Sequence, residues 1–70
     1  MQFSVILREG GRDRVIARGT EREARNAALI TMIDQGAGED FACENAKLLR
    51  LDSPFNFLVN KEIMITNMEI

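Results

Sequence analysis

The sequence predicts an α+β domain in which one main helix packs on one face of a sheet of four or five mostly antiparallel strands. Three observations support this class: an alternating arm around Gly10-Gly11, a capped helical segment after it, and a second extended arm after the helix. The predicted order of elements is therefore β-β-α-β-β-β. Seventy residues leave room for one hydrophobic core, so a single domain is expected over residues 1–70.

Gly10-Gly11 lies between two segments in which apolar and polar residues alternate, a pattern typical of a β-hairpin. The predicted strands cover residues 3–9 and 12–18. A two-residue loop at the glycines would bring arginines onto the apolar face, because a slip of one residue turns every side chain to the other face. We therefore predict a three-residue loop, residues 9–11, which places Val5 opposite Val15.

This register gathers apolar side chains on one face of the hairpin and arginines on the other. The second face carries four arginines around two isoleucines, and it is the candidate partner-binding site: Ile6, Arg8, Arg12, Arg14, Ile16 and Arg18. Arginine is enriched at protein interfaces. Arginine stems also cover apolar surface on ordinary solvated faces, and arginines can contact phosphates. These three interpretations stay open at the level of the sequence.

The helix begins with a capping box. Thr20 can accept a hydrogen bond from the backbone N–H of Glu23, and the Glu23 side chain can accept one from the N–H of Thr20. The helix continues over residues 24–35, and Gly36 supplies the left-handed residue that commonly ends a helix. With a rotation of about 100° per residue, the alanines fall on one side and the bulky residues on the other. The bulky side is predicted to cover the hairpin: Leu29, Ile30, Met32 and Ile33.

The segment after the helix is harder to assign. Residues 46–51 fit a strand with mixed faces, which is the assignment we adopt, whereas residues 39–51 fit equally a short helix that begins at an acidic pair. Asp52-Ser53-Pro54 predicts a turn, because proline restricts where the next strand can begin.

A final hairpin is predicted from two apolar segments around Asn60-Lys61. A three-residue loop, residues 60–62, would place Phe57 opposite Ile65 and so form one apolar face. If both hairpins join one sheet, its helix-free face would combine the arginines with several apolar residues: Ile6, Ile16, Leu58, Met64 and Met68.

Composition argues against catalysis. The chain has no His, so it lacks an imidazole general base and any His metal ligand. Its one cysteine, Cys43, can form neither a zinc site nor an internal disulfide, and we expect it to be buried or half-buried. No phosphate-binding glycine motif is present. We therefore expect a protein that is not an enzyme and that uses no cofactor or metal.

Charge and hydropathy bear on location and partners. No apolar run of about 18 residues occurs, so we expect no membrane span. The first residues lack the pattern of a signal peptide, and a lone cysteine fits a cytoplasmic location. Direct nucleic-acid binding is the weaker partner prediction, because the isoelectric point is near 5.0 and the chain has no Tyr or Trp to stack on bases.

A Gly-Gly hairpin, a helix capped within Thr20-Glu21-Arg22-Glu23-Ala24 and a second β arm, all within 70 residues, resemble small phage-encoded inhibitors. In architecture the chain is similar to the compact sheet-plus-helix anti-CRISPR proteins. The resemblance implies a non-catalytic protein that blocks a host complex by occupying a surface. It assigns no role to any particular residue.

The function predicted first is that of a small protein-binding module, an anti-CRISPR-like stoichiometric inhibitor of a host protein or nucleoprotein complex. It would act through the arginine face. Two alternatives use the same face: a nucleic-acid-binding module with the arginines on phosphates, and a structural homo-oligomer, such as a homodimer, that buries the face against its own copy.

Overall fold

A computed structural model describes residues 2–67 of the chain. Six elements follow one another: β1 (Phe3–Glu9), β2 (Arg12–Gly19), α1 (Glu21–Asp34), α2 (Glu39–Leu48), β3 (Phe55–Leu58) and β4 (Lys61–Thr66). The predicted α+β class is confirmed, with four strands and with a second helix in place of the predicted third strand. Within residues 2–67, no helix is both long enough and apolar enough to cross a membrane.

The strands form one antiparallel sheet in the order β2-β1-β4-β3. β1 and β4 lie side by side at its centre and join the two hairpins. The core lies between one face of this sheet and the two helices. The sheet contributes Val5, Leu7 and Ile63 to the core, each at most 1% exposed. The helices contribute mainly small side chains.

The turn of the first hairpin is one residue shorter than predicted. Gly10 and Gly11 form a two-residue loop with φ angles of 54° and 82°, and Glu9 lies opposite Arg12. Two successive positive φ angles are typical of a type I′ turn, which glycine adopts without steric cost and whose twist matches the strands. The predicted three-residue loop is wrong because the turn geometry, not the separation of charged from apolar residues, determines the register here.

A β-bulge in β2 shifts the register farther along the hairpin. Ile6 lies opposite Val15 and Val5 lies opposite Ala17, so Ile16 is the extra residue. The predicted pairing of Val5 with Val15 is therefore also wrong. Ile16 packs against the core, since a bulge redirects the side chain of the strand that carries it.

Both ends of α1 form as predicted. Thr20 Oγ1 accepts from the N–H of Glu23 at 3.2 Å, and Glu23 Oε1 accepts from the N–H of Thr20 at 2.9 Å. This completes the capping box. At the other end Gly36 has a φ of 113°, and the N–H of Ala37 donates to the carbonyl of Met32 at 2.9 Å. This is the Schellman arrangement that ends a helix at a glycine.

The face of α1 that packs on the sheet is the predicted one only in part, because Met32 and Leu29 contribute to the core but Ile30 and Ile33 do not. Ala24, Ala28 and Met32 are the buried residues of this helix, whereas Ile30 is 57% and Ile33 is 39% exposed. Alanine lets the helix axis approach its neighbours closely, and α1 contacts α2 as well as β1, β2 and β4. The second helix, which the prediction lacked, changes which side of α1 is buried.

Residues 39–48 form α2, so the strand predicted at 46–51 is wrong and the alternative helical assignment is the nearer one. Glu39 and Asp40 lie in its first turn, where negative charge is favourable. Ala42 and Ala46 face the core. Cys43 is unpaired and half-buried, which agrees with the prediction that it would be buried or half-buried.

The second hairpin also has a tighter turn than predicted. Leu58 lies opposite Lys61 across a two-residue loop, in which Asn60 has a φ of 60°. The predicted opposition of Phe57 and Ile65 is wrong. Phe57 sits instead at a register shift in β3 and is still buried, at 5% exposure. Of the turn predicted at 52–54, Asp52 is a turn residue, with a φ of 60°.

Candidate functional site

The six residues of the predicted site do not share one face. Cross-strand partners in a sheet point to the same side. Arg14 lies opposite Leu7 and therefore belongs to the helix-bearing side, and Arg12 follows it there. Ile16 packs against the core on that side. The opposite face keeps the other three members of the predicted site: Ile6, Arg8 and Arg18.

Arg8 is engaged on the helix-free face by two carboxylates from neighbouring strands. Its Nε donates to Asp13 Oδ1 at 2.6 Å, and its Nη1 donates to Glu62 Oε1 at 3.3 Å. The hydrogen bond from Arg8 lowers the pKa of Asp13 below its ordinary value, and the same two carboxylates raise the pKa of Arg8. Arg8 therefore links three strands, and its charge is already balanced within the fold.

The apolar residues predicted beside the arginines offer little contact surface. Ile6 lies on the helix-free face as predicted, and the structure pairs it with Met64, but it is only 7% exposed. Ile16 and Leu58 pack against the core on the other side. Met68, the last member of the predicted apolar set, lies outside the described residues.

Arg12 and Arg14 are the least compensated arginines of the hairpin. Arg14 has a side chain that is 66% exposed and makes one long ion pair, to Glu9 at 3.4 Å. Glu9 is shared with Lys61, whose Nζ is 3.8 Å away. The Arg12 side chain is exposed and makes no ion pair within residues 2–67. These two guanidinium groups therefore remain available to an external anion.

Both of these arginines lie on a strand at the edge of the sheet. In the described part of the chain β2 pairs with β1 alone, so no strand covers its outer side. β2 contains three arginines and one acidic residue, Asp13, which is bound to Arg8. The edge of the sheet consequently has an excess of positive charge, although the net charge of the chain is −2.

A second feature, a shallow groove between α1 and α2, was not predicted. It has a volume of about 270 Å³ and is lined by apolar and polar residues: Arg25, Asn26, Leu29, Cys43, Ala46 and Lys47. The groove could not be foreseen without α2. The repeated spacing of Ala42 and Ala46, which matches that of Ala24 and Ala28, was the available signal.

Arg25 connects the two helices beside this groove. Its Nη1 donates to the carbonyls of Ala46 at 3.2 Å and Leu49 at 2.9 Å, at the C-terminal end of α2. Its guanidinium also pairs with Glu21 at 3.0 Å. A cation in this position satisfies carbonyls that a helix end leaves without partners. Arg25 is therefore a structural residue.

Large apolar side chains are also exposed on the helical layer. Leu48 is 74% and Phe41 is 44% exposed. Phe41 stacks on Phe55 with ring centroids 6.0 Å apart, so part of its surface is already covered. Scattered exposed apolar residues are ordinary in small proteins, and these residues do not by themselves define a site.

The described residues contain no group of three or more His, Cys, Asp or Glu side chains placed to hold a metal ion. The arrangement that they do contain, guanidinium groups along a strand edge, is suited to binding carboxylate or phosphate oxygens. Comparison of the chain with protein-family models, with curated proteins and with solved structures finds no match.

Proposed function

We propose that this chain is a small, non-catalytic protein-binding module that acts stoichiometrically, by occupying a surface of a protein or nucleoprotein partner. The observation that supports this function most directly is the pair of exposed arginines, Arg12 and Arg14, on an edge strand whose acidic residue is engaged by Arg8. A guanidinium group offers a planar set of donors that matches a carboxylate, and arginine is enriched at interfaces.

The contact surface is smaller than the one predicted from the sequence. Ile6 and Ile16 contribute to packing, and Arg8 contributes to the sheet. Arg12 and Arg14 form the proposed surface, whereas Arg18 points to the opposite face of the sheet. Inhibition is the form of binding that the resemblance to anti-CRISPR proteins favours, and identification of the partner will decide it.

The proposal is tested by capture of the partner from a native host lysate. The tagged protein is incubated with lysate in the presence and absence of nuclease, and the retained proteins are identified by mass spectrometry. A matched pair of variants accompanies the wild type. Arg12→Ala with Arg14→Ala removes two charges from β2, and Lys47→Ala with Arg50→Ala removes two exposed charges from the region of α2.

We expect a defined set of proteins that survives nuclease, is lost with the β2 variant and is kept with the α2 variant. Equal retention by the two variants would contradict the assignment of the surface. Loss of all partners on nuclease treatment would favour the nucleic-acid alternative, in which the same arginines contact phosphates and binding falls steeply with salt. A mass that rises with concentration in light scattering would favour the homo-oligomer.

A further inference from the structure

β2 has the properties of a strand that can accept another strand. It is eight residues long, and its outer side is unpaired within residues 2–67. The opposite edge of the sheet differs in this respect. β3 has only four residues and a register shift within them, and a bulged short edge is a poor template for pairing.

The regularly paired part of β2 is also the part that contains the two exposed arginines, Arg12 and Arg14. The pairing of β2 with β1 is uninterrupted from Arg12 to Val15, before the bulge at Ile16. Arg12 and Arg14 are two positions apart, so they lie on one face and about 6.6 Å apart along the strand. Acidic residues with the same alternation on an added strand would lie beside them, since side chains on adjacent strands pair across the sheet.

From this coincidence we propose that the β2 edge binds an extended, acidic segment of a protein partner by strand addition, with alternate carboxylates on Arg12 and Arg14. The inference rests on the proposed function and adds the chemistry of the partner and the mode of binding. Backbone hydrogen bonds supply the affinity in such additions, and side chains at alternate positions supply the specificity.

A second copy of the chain is a poor occupant of the same edge. β2 contains Arg12, Arg14 and Arg18 against Asp13, which gives a charge of +2 from three bases and one acid. Pairing two β2 strands would bring two segments of +2 together, and like charges opposite each other destabilise a sheet. Charged edges commonly protect a protein against pairing with its own copies. That protection does not extend to a strand of opposite charge.

The test uses the full chain labelled with ¹⁵N and an eight-residue capped peptide in which Thr and Glu alternate. Two further peptides have the same sequence with N-methyl groups on all the Thr or on all the Glu amides. An alternating Thr-Lys peptide and inorganic polyphosphate complete the set. Affinities are measured from amide shifts, and hydrogen exchange is followed along residues 12–19.

Strand addition predicts that the Thr-Glu peptide binds and the Thr-Lys peptide does not. One of the two N-methylated peptides loses binding and the other keeps it within about twofold, because only one set of amides faces β2. Alternate amides of β2 exchange more slowly in the complex. Arg12→Gln with Arg14→Gln lowers the affinity about tenfold, since two exposed ion pairs are lost, whereas Lys47→Gln with Arg50→Gln does not.

The proposal is overturned if both N-methylated peptides bind as the parent does, or if polyphosphate alone shifts the β2 amides, because charge without strand pairing would then suffice. Absence of binding by the Thr-Glu peptide also overturns it. Strand addition can fail while the proposed function stands. If captured proteins are lost with the β2 variant while N-methylation has no effect, the binding surface stands and strand addition does not.

Discussion

Replacement of Arg25 is the sharpest test of how the two helices are held together. Arg25 Nη1 donates to two carbonyls at the end of α2, and the guanidinium also pairs with Glu21. Arg25→Gln removes the contacts to α2. Arg22→Gln is a matched control on the same helix, because the Arg22 side chain is exposed and makes no ion pair within the described residues.

The expected loss follows from the exposure of the groups. Hydrogen bonds from a charged donor contribute about 1.5–3 kcal/mol each when water is excluded. The Arg25 side chain is 27% exposed, so water replaces part of each bond, and we expect a total loss of about 2 kcal/mol in the free energy of unfolding. For a domain of this size that lowers Tm by about 10 °C. Glu21→Gln removes only a surface pair and should cost about 0.5 kcal/mol.

The free energies of unfolding of Arg25→Gln, Arg22→Gln and Glu21→Gln are measured by urea unfolding, monitored by circular dichroism. Amide hydrogen exchange should become faster at the end of α2, around Ala46, in Arg25→Gln alone. Arg25→Lys should fall between the wild type and Arg25→Gln, because an ammonium group keeps the charge but lacks the guanidinium fork. Equal losses in Arg25→Gln and Glu21→Gln would refute the reasoning, since the ion pair would then account for the whole effect.

Three further predictions test the helix cap, the core and the cross-strand ion pair. Thr20→Ala should lower the free energy of unfolding in urea by about 1 kcal/mol. In this variant NMR titration should show that the lowered pKa of Glu23 rises only part of the way to its ordinary value, because the main cause of the lowering is the backbone N–H of residue 20, which the substitution keeps. Met32→Ala should cost about 3 kcal/mol by the same assay, whereas Ile30→Ala, at a site 57% exposed, should cost less than about 0.5 kcal/mol. The Asp13 carboxyl should have a pKa below its ordinary value of 3.8, because Arg8 donates a hydrogen bond to it. The contribution of the Arg8–Asp13 pair to stability is therefore present above pH 3.8 and is lost as the pH falls through the lowered pKa.

The parts of the fold that were predictable are those decided within a few residues of sequence. The capping box at Thr20 and the end of α1 at Gly36 each depend on neighbours at most five residues away. Such contacts form in the same way whatever the rest of the chain does. For this reason the α+β class, the first hairpin and the main helix could all be predicted.

The buried face of α1 was not predictable in the same way, because it depends on an element far along the chain. Hydrophobicity favours burial of Ile30 and Ile33, yet both are exposed while Ala28 is fully buried. Close packing against both a sheet and a second helix selects small residues at the contact. Ala42 and Ala46 repeat this selection on α2, so the alanine spacing was more informative than the bulky residues.

The division of the predicted site follows from a conflict between turn chemistry and apolar patterning. Gly10-Gly11 favours a two-residue turn, and that turn places Arg14 opposite Leu7, on the face that bears the helices. The conflict is tolerated at the tip of the hairpin, where Arg14 is 66% exposed. Nearer the core, the bulge at Ile16 shifts the register and brings Ala17 opposite Val5.

β3 resolves the same conflict in the same way. Its register shift lies one residue away from its two-residue turn, and the residue at the shift, Phe57, is buried. In both hairpins the turn determines the pairing at the tip and the bulge restores it beside the core. The arginines of the proposed binding surface, Arg12 and Arg14, therefore lie on the turn side of the bulge in β2, where pairing remains regular and the core does not require an apolar side chain.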